Sequence, residues 1–121
     1  GYSSVSFMSL TYFQDTIISI SPQLTTPGLG TLVEVAANDG FRTTDYTLIV
    51  VAGNLGGNTV TVRLDGSLDG TVFAPIIGNQ TINTTDPAVF SVSGRPVKWI
   101  RPNFVSASGG TPTVNFQVAA A

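Results

Sequence analysis

The sequence contains no cysteine and no histidine among its 121 residues. Without cysteine, a disulfide scaffold and thiol chemistry are excluded. Without histidine as well, the Ser-His-Asp and Cys-His arrangements of nucleophilic catalysis and histidine-ligated zinc are excluded too. The composition therefore leaves few routes to chemistry, and it predicts a protein with no metal and no cofactor.

Charge is also scarce, at 10% of residues compared with roughly 25% in an ordinary globular domain. The formal net charge is −2, which argues against a nucleic-acid partner bound by phosphate neutralisation. No apolar run approaches the roughly 18 residues of a membrane span, so no membrane partner is expected. So weakly charged a surface is typical of a protein covered by neighbouring subunits, or of an extracellular protein.

Carboxylates give the one remaining route to catalysis, because a glycosidase needs only two of them. Of the seven acidic residues, Asp39, Asp69 and Asp86 stand in turn contexts. Glu34 lies in the middle of a predicted strand and could face a cleft, although an exposed strand carboxylate is the simpler interpretation. Because so few side chains could act as a general acid or base, the chain is predicted not to be an enzyme.

Alternating apolar and polar residues recur along the chain and predict an all-β fold. In segment 59–68, for example, Val60, Val62 and Leu64 share one face of a strand. Segment 46–52 is apolar on both parities, which predicts a strand covered on both faces. Gly- and Pro-rich clusters separate about eight to ten such strands. We therefore predict a single domain over residues 1–121, a β-sandwich with jelly-roll-like connections.

The segment RLDGSLDGTVF (63–73) repeats an Asp-Gly pair. A calcium loop of the EF-hand kind would need further acidic ligands and a distal glutamate, and these are missing. A two-residue turn at Asp69 and Gly70 instead predicts a β-hairpin. In that register Gly66 faces Phe73, whose ring lies over the bare glycine backbone.

The segment GRPVKWIRPNF (94–104) concentrates positive charge around the only tryptophan, Trp99. Arg95, Lys98 and Arg101 are three of the five basic residues. Cations beside an aromatic ring are typical of interface hot spots, and they could equally hold an anionic sugar or stack on a glycan. The alternative is a strand in which Trp99 packs inward and the cations lie at its ends.

The N-terminal stretch GYSSVSFMSLTYF (1–13) carries no charge and holds four further candidate contacts, Tyr2, Phe7, Tyr12 and Phe13. If this stretch folds back, it forms an edge strand of the sandwich. If it does not, residues 1–14 form an extended N-terminal arm of the kind that swaps onto a neighbouring subunit.

Three segments follow one another between residues 59 and 118: VTVRLDGSLDGTVFAPI, FSVSGRPVKWIRPNF and TPTVNFQV. In order and spacing they resemble small virion proteins of tailed bacteriophages, of the capsid decoration or cement type. The hairpin followed by an aromatic-Ile-Arg strand is also similar to discoidin-like jelly rolls, many of which bind glycans. The chain is shorter than a usual discoidin domain and lacks its cysteine pair.

The phage resemblance implies a non-enzymatic structural protein on the surface of the virion. Its partners would be the major capsid protein or other virion subunits, and it would act as a homo-oligomer, a dimer or a trimer, that stabilises the shell. Two alternatives stay open. One is a carbohydrate-binding module with Trp99 as its platform, and the other is a tail or receptor-binding accessory protein with the same fold.

Overall fold

The computed structural model describes residues 16–36 and 43–121, and these residues contain no helix. It follows that none of the described segments is a helix able to cross a membrane. The described residues form nine strands: β1 (Ile17–Ile20), β2 (Gly28–Leu29), β3 (Val33–Glu34), β4 (Tyr46–Gly53), β5 (Val60–Ser67), β6 (Phe73–Ile82), β7 (Ala88–Val92), β8 (Trp99–Ala107) and β9 (Thr113–Ala120).

The strands form two antiparallel sheets that pack face to face as a sandwich. The four-stranded sheet has the order β1-β9-β4-β7, and the five-stranded sheet has the order β2-β8-β5-β6 with β3 also paired to β8. From β6 onward the chain crosses between the sheets at every connection, which is the jelly-roll-like pattern. The all-β sandwich predicted from the alternating segments is confirmed.

Alternation along each central strand puts one face into the core between the sheets. In β5 the predicted inward residues Val60, Val62 and Leu64 are buried, although Asp65 and Ser67 on the opposite face are buried too. The three largest buried rings are Tyr46 of β4, Phe104 of β8 and Phe116 of β9. The prediction that β4 is covered on both faces is wrong for the described part of the chain. Ile49 and Val51 are only half-buried, because no described element packs on the outer face of their sheet.

The hairpin between β5 and β6 is present, but its predicted register is wrong by one residue. Phe73 pairs with Ser67 instead of Gly66, and Gly66 pairs with Ala74. Successive strand residues point to opposite faces, so this shift moves the Phe73 ring to the outer face of the sheet. Side chains that approach the bare Gly66 backbone belong instead to Ile76 and to the segment before β8.

Several chain segments meet at the end of the sandwich where β4 begins, which we call the Tyr46 end. There the Tyr46 hydroxyl accepts the Val97 amide N–H at 3.2 Å and donates to the Thr43 carbonyl at 3.0 Å. Thr43 Oγ1 in turn donates to the Val35 carbonyl at 3.0 Å. The arrangement ties the start of β4 to the segment after β3 and to the loop before β8.

Candidate functional site

Four of the eight predicted contact residues, Tyr2, Phe7, Tyr12 and Phe13, lie outside the described residues. The other four lie at the Tyr46 end. Lys98, Trp99 and Arg101 come together on the outer face of the five-stranded sheet, and Arg95 lies apart from them in the loop before β8.

Trp99 lies on the outer face of the five-stranded sheet and not in the core. Its strand neighbour Ile100 is fully buried, whereas Trp99 itself is half-buried. Two groups already contact the indole. Gly70 in the hairpin loop lies against its six-membered ring, and the Lys98 ammonium is 4.9 Å from the ring centroid. Only part of the ring is therefore free for a ligand.

Arg101 lies two residues further along the same face of β8. Its guanidinium carbon is 3.9 Å from the centroid of the Phe73 ring, which is a cation–π contact. The Arg101 Nε is buried and has no hydrogen-bond partner among the described residues. The contact depends on the observed hairpin register, because the predicted register would have turned Phe73 toward Gly66.

Asp65 is the neighbour of Arg101 across the strands, yet its carboxylate is held by other groups. Arg63 Nε donates to Asp65 Oδ1 at 2.8 Å, and Asn103 Nδ2 donates to Oδ2 at 3.2 Å. Asp65 is only 2% exposed, although it lies on the outer face of the sheet. Both carboxylate oxygens are therefore engaged, so Asp65 serves the structure of this face.

Asp69 holds the hairpin loop together. Its Oδ1 accepts the backbone N–H groups of Val72 at 2.9 Å and Thr71 at 2.8 Å, and the Ser67 hydroxyl at 3.2 Å. These hydrogen bonds lower the pKa of Asp69 below its ordinary value of 3.8, and the bond from the Val72 N–H has the largest effect. Such bonding to local backbone amides is characteristic of a turn. Among the described residues, no group of three or more His, Cys, Asp or Glu side chains is placed to hold a metal.

Arg95 belongs to a pocket of about 510 Å³ at the Tyr46 end, between the hairpin loop and the loop before β8. The pocket lining is mostly apolar and includes Leu68, Val72, Ile76 and Val97. None of the three residues of the tryptophan cluster lines it. The four cationic and aromatic candidates therefore divide between two surfaces, a division that no pattern in the sequence indicates.

Glu34, the carboxylate singled out for a possible cleft, is paired with Trp99 across the strands and is exposed. Its Oε2 lies 3.9 Å from the Lys98 ammonium, at the edge of the tryptophan cluster. Of the two ion pairs in the described residues, only this one involves Glu34 or Lys98, so no second carboxylate takes part in it. The arrangement is that of a surface ion pair, which contributes little to stability.

A surface that the sequence analysis did not single out is the outer face of the four-stranded sheet. One row crosses all four strands in direct register as Ile20, Gln117, Ile49 and Val89. Ile20 is 69% exposed and Val89 62%. We call this surface the uncharged face. It could have been predicted from β1 and β4, because both strands have apolar residues at odd and at even positions.

No protein-family model matches the chain, and no curated sequence matches it either. Solved structures with a similar fold include the following two. One is the SPBc2 prophage-derived protein YomS, with a TM-score of 0.59 and 9% identity over 87% of this chain and 93% of that one. The other is the CBM32 of AlyQ in complex with 4,5-unsaturated mannuronic acid, with a TM-score of 0.58 and 14% identity over 82% of this chain and 74% of that one. At such low identities the likeness shows a shared jelly-roll-like sandwich and no more.

Proposed function

We propose that this chain is a non-enzymatic structural protein of a phage virion, of the capsid decoration or cement type. It lies on the particle surface, binds the major capsid protein or other virion subunits, and stabilises the shell. The stabilisation follows from mass action, because a protein that binds the assembled shell and not its separated parts shifts the equilibrium toward the shell.

The observation that carries this proposal is the uncharged face. Besides the row through Ile20 and Val89, it presents Ile18, which is 70% exposed, in a second row with Ala119, Thr47 and Ser91. Neither row contains a charged residue. Exposed apolar patches free of charge are typical of protein–protein interaction sites, and depletion of charge is typical of the centre of an interface.

We extend the proposal to a homo-oligomer, a dimer or a trimer. In the described part of the four-stranded sheet, β1 and β7 each pair with a strand on one side only. A free sheet edge offers unpaired backbone groups to another chain, and the low overall charge removes the repulsion that keeps copies apart. Neither nucleic acid nor membrane enters the proposal, in keeping with the net charge of −2.

The replacement Ile20→Lys tests the shell-binding surface. We expect it to weaken binding to the shell about tenfold, because it puts an ammonium group on a face that has no charged residue in its described rows. The measurement is co-sedimentation of the purified chain with shells assembled from the capsid protein that the same genome encodes.

Thr81→Lys is the matched control for this test. Thr81 is an exposed residue of β6 in the other sheet, so the variant gains the same charge away from the uncharged face. It should bind the shell as the wild type does. Equal binding by the wild type and both variants would contradict a role for the uncharged face, and no binding by the wild type would contradict the proposed function.

Carbohydrate binding is a second candidate function, favoured by the position of Trp99 outside the core. The Lys98 ammonium is 4.9 Å from the centroid of its half-buried ring, and Arg101 follows two residues later on the same face of β8. Aromatic rings with nearby polar groups are common in small-molecule sites. The contacts that Lys98 and Gly70 already make with the indole reduce the area free for a sugar ring, so the geometry favours the structural protein.

Glycan binding would be tested with Trp99→Ala, measured on an array that includes acidic glycans. If the chain binds a glycan through this cluster, the variant should lose about 0.5–1.5 kcal/mol of binding free energy, which is the usual contribution of a stacked aromatic ring. Arg95→Ala, which removes a cation from the separate pocket, should leave binding unchanged. Absence of glycan binding by the wild type would remove this candidate.

A further inference from the structure

The apolar pocket at the Tyr46 end lies between two anchored walls. One wall is the hairpin loop, where Ser67 Oγ accepts the Gly70 amide N–H at 2.9 Å. The other wall is the loop before β8, where the Val97 amide donates to the Tyr46 hydroxyl at 3.2 Å. The Lys98 amide donates to the Ser67 carbonyl at 2.9 Å and joins the two walls. The pocket is therefore preformed, as most small-molecule sites are.

The pocket also has the size and the apolar surface of a small-molecule site. Its volume is about 510 Å³, and such sites range from roughly 300 to 1,000 Å³. Two lining residues, Leu68 and Val72, are 73% and 70% exposed. Ile76 and Val97 meet over the bare backbone of Gly66, where a Cβ would lie 2.9 and 3.1 Å from their methyl carbons. A hydrocarbon ligand would remove these aliphatic side chains from water, which is favourable.

The polar side chains of the hairpin loop are engaged with the loop itself. Ser67 Oγ accepts the amides of Asp69 and Gly70 and donates to Asp69 Oδ1. The same Oδ1 accepts the amides of Thr71 and Val72. Sugar hydroxyls or peptide groups in the pocket would find few partners, and burying them unpaired is costly. The lining therefore favours a ligand whose buried part is hydrocarbon.

Arg95 supplies the charge that a ligand of this pocket has to match. It is exposed beside the apolar lining, and its side chain makes none of the described hydrogen bonds or ion pairs. The other charged residue of the lining is Asp69, whose Oδ1 already accepts three hydrogen bonds from the loop. A guanidinium binds a carboxylate through two parallel hydrogen bonds. Arg95 therefore favours a ligand with an anionic group.

We propose that this pocket binds a small monocarboxylate with a hydrocarbon body, such as a medium-chain fatty acid. The hydrocarbon lies against Leu68, Val72 and Ile76, and the carboxylate bonds to the Arg95 guanidinium. The ligand thereby covers two aliphatic side chains that the described fold leaves exposed. The site is separate from the uncharged face and from the tryptophan cluster, so it does not depend on the proposed function.

Octanoate is the probe, and its binding to the full chain is followed through the amide chemical shifts in an NMR titration. Octanol and octylamine have the same hydrocarbon body with a neutral and a positively charged group. We expect octanoate to bind about tenfold more tightly than either, because only octanoate forms charge-assisted hydrogen bonds with Arg95. Arg95→Gln should remove that advantage and leave octanol binding unchanged. Arg101→Gln, which removes a cation from the tryptophan cluster, is the matched control and should bind octanoate as the wild type does.

A second pair of variants tests the apolar part of the site. Val72→Asp should weaken octanoate binding about tenfold or more, because it replaces an apolar contact with a like charge. Val89→Asp on the uncharged face, where Val89 is 62% exposed, should leave binding unchanged. The proposal is overturned if octanoate causes no saturable shift at the amides of Gly66 and Val97. It is also overturned if octylamine binds as tightly as octanoate, or if Arg95→Gln binds octanoate as the wild type does.

Discussion

Replacing Asp65 with alanine is expected to lower the free energy of unfolding by about 2–3 kcal/mol. The carboxylate is 2% exposed and takes one hydrogen bond from Arg63 and another from Asn103. Removal of Asp65 leaves both donors without their acceptor on a covered part of the sheet. Arg63 is 31% exposed and can turn to water, so the loss should stay below the 3–5 kcal/mol of a fully buried pair.

Urea denaturation at neutral pH measures this loss, provided that the dependence on denaturant keeps its slope. Asp86→Ala is the matched control, because Asp86 is an exposed turn residue whose side chain makes none of the described hydrogen bonds or ion pairs. The control should change stability by less than about 0.5 kcal/mol. An Asp65→Ala variant as stable as this control would show that the hydrogen bonds of Asp65 contribute nothing net.

In the β5–β6 hairpin, the position of the turn could be predicted from the sequence but the pairing register could not. The Asp69-Gly70 pair predicts a turn, and Gly70 does have the positive φ, 81°, that such a turn requires. The register depends on which groups bond within the loop. Asp69 and Ser67 accept four of the loop's backbone N–H groups, which makes the loop longer than two residues. An alternating pattern alone does not predict whether a backbone N–H bonds to a nearby side chain or to the neighbouring strand.

The tryptophan cluster was predictable as a group of residues but not as a surface. In β8 Trp99 and Arg101 lie on the face opposite the buried Ile100, whereas the sequence left open whether Trp99 packs inward. Which aromatic ring lies under Arg101 depends on the hairpin register, so Phe73 could not be assigned to it. Arg95 is close to Trp99 in sequence, but the loop before β8 carries it to the pocket, and loop paths have no periodicity to predict them.

The uncharged face and the pocket lie on different parts of the fold. The uncharged face lies on the four-stranded sheet, whose inner residues complete the core and whose outer residues carry no charge in the described rows. The pocket lies at the Tyr46 end, and its shape depends on the loop before β8. Anything that loosens that loop should alter the pocket and leave the uncharged face intact. Removal of the Tyr46 hydroxyl should therefore affect the loop before β8 without affecting the uncharged face.

Replacing Tyr46 with phenylalanine is expected to lower the free energy of unfolding, measured by urea denaturation, by about 1–3 kcal/mol. This is a large loss for a replacement that removes a single oxygen atom. The ring stays in the core, where the residue is 1% exposed. The Val97 amide loses its acceptor and the Thr43 carbonyl loses its donor. Val97 lines the pocket, and the Tyr46 side chain points into the core and away from the uncharged face, so shell binding should stay unchanged in this variant.

A double-mutant cycle with Thr43→Val shows whether these bonds act as one network. Thr43 Oγ1 lies 3.1 Å from the Tyr46 hydroxyl and donates to the Val35 carbonyl. If the two hydroxyls support each other, the double variant should be more stable than the sum of the single losses predicts, with a coupling of about 1 kcal/mol. Additive losses would mean that Tyr46 and Thr43 anchor their loops independently.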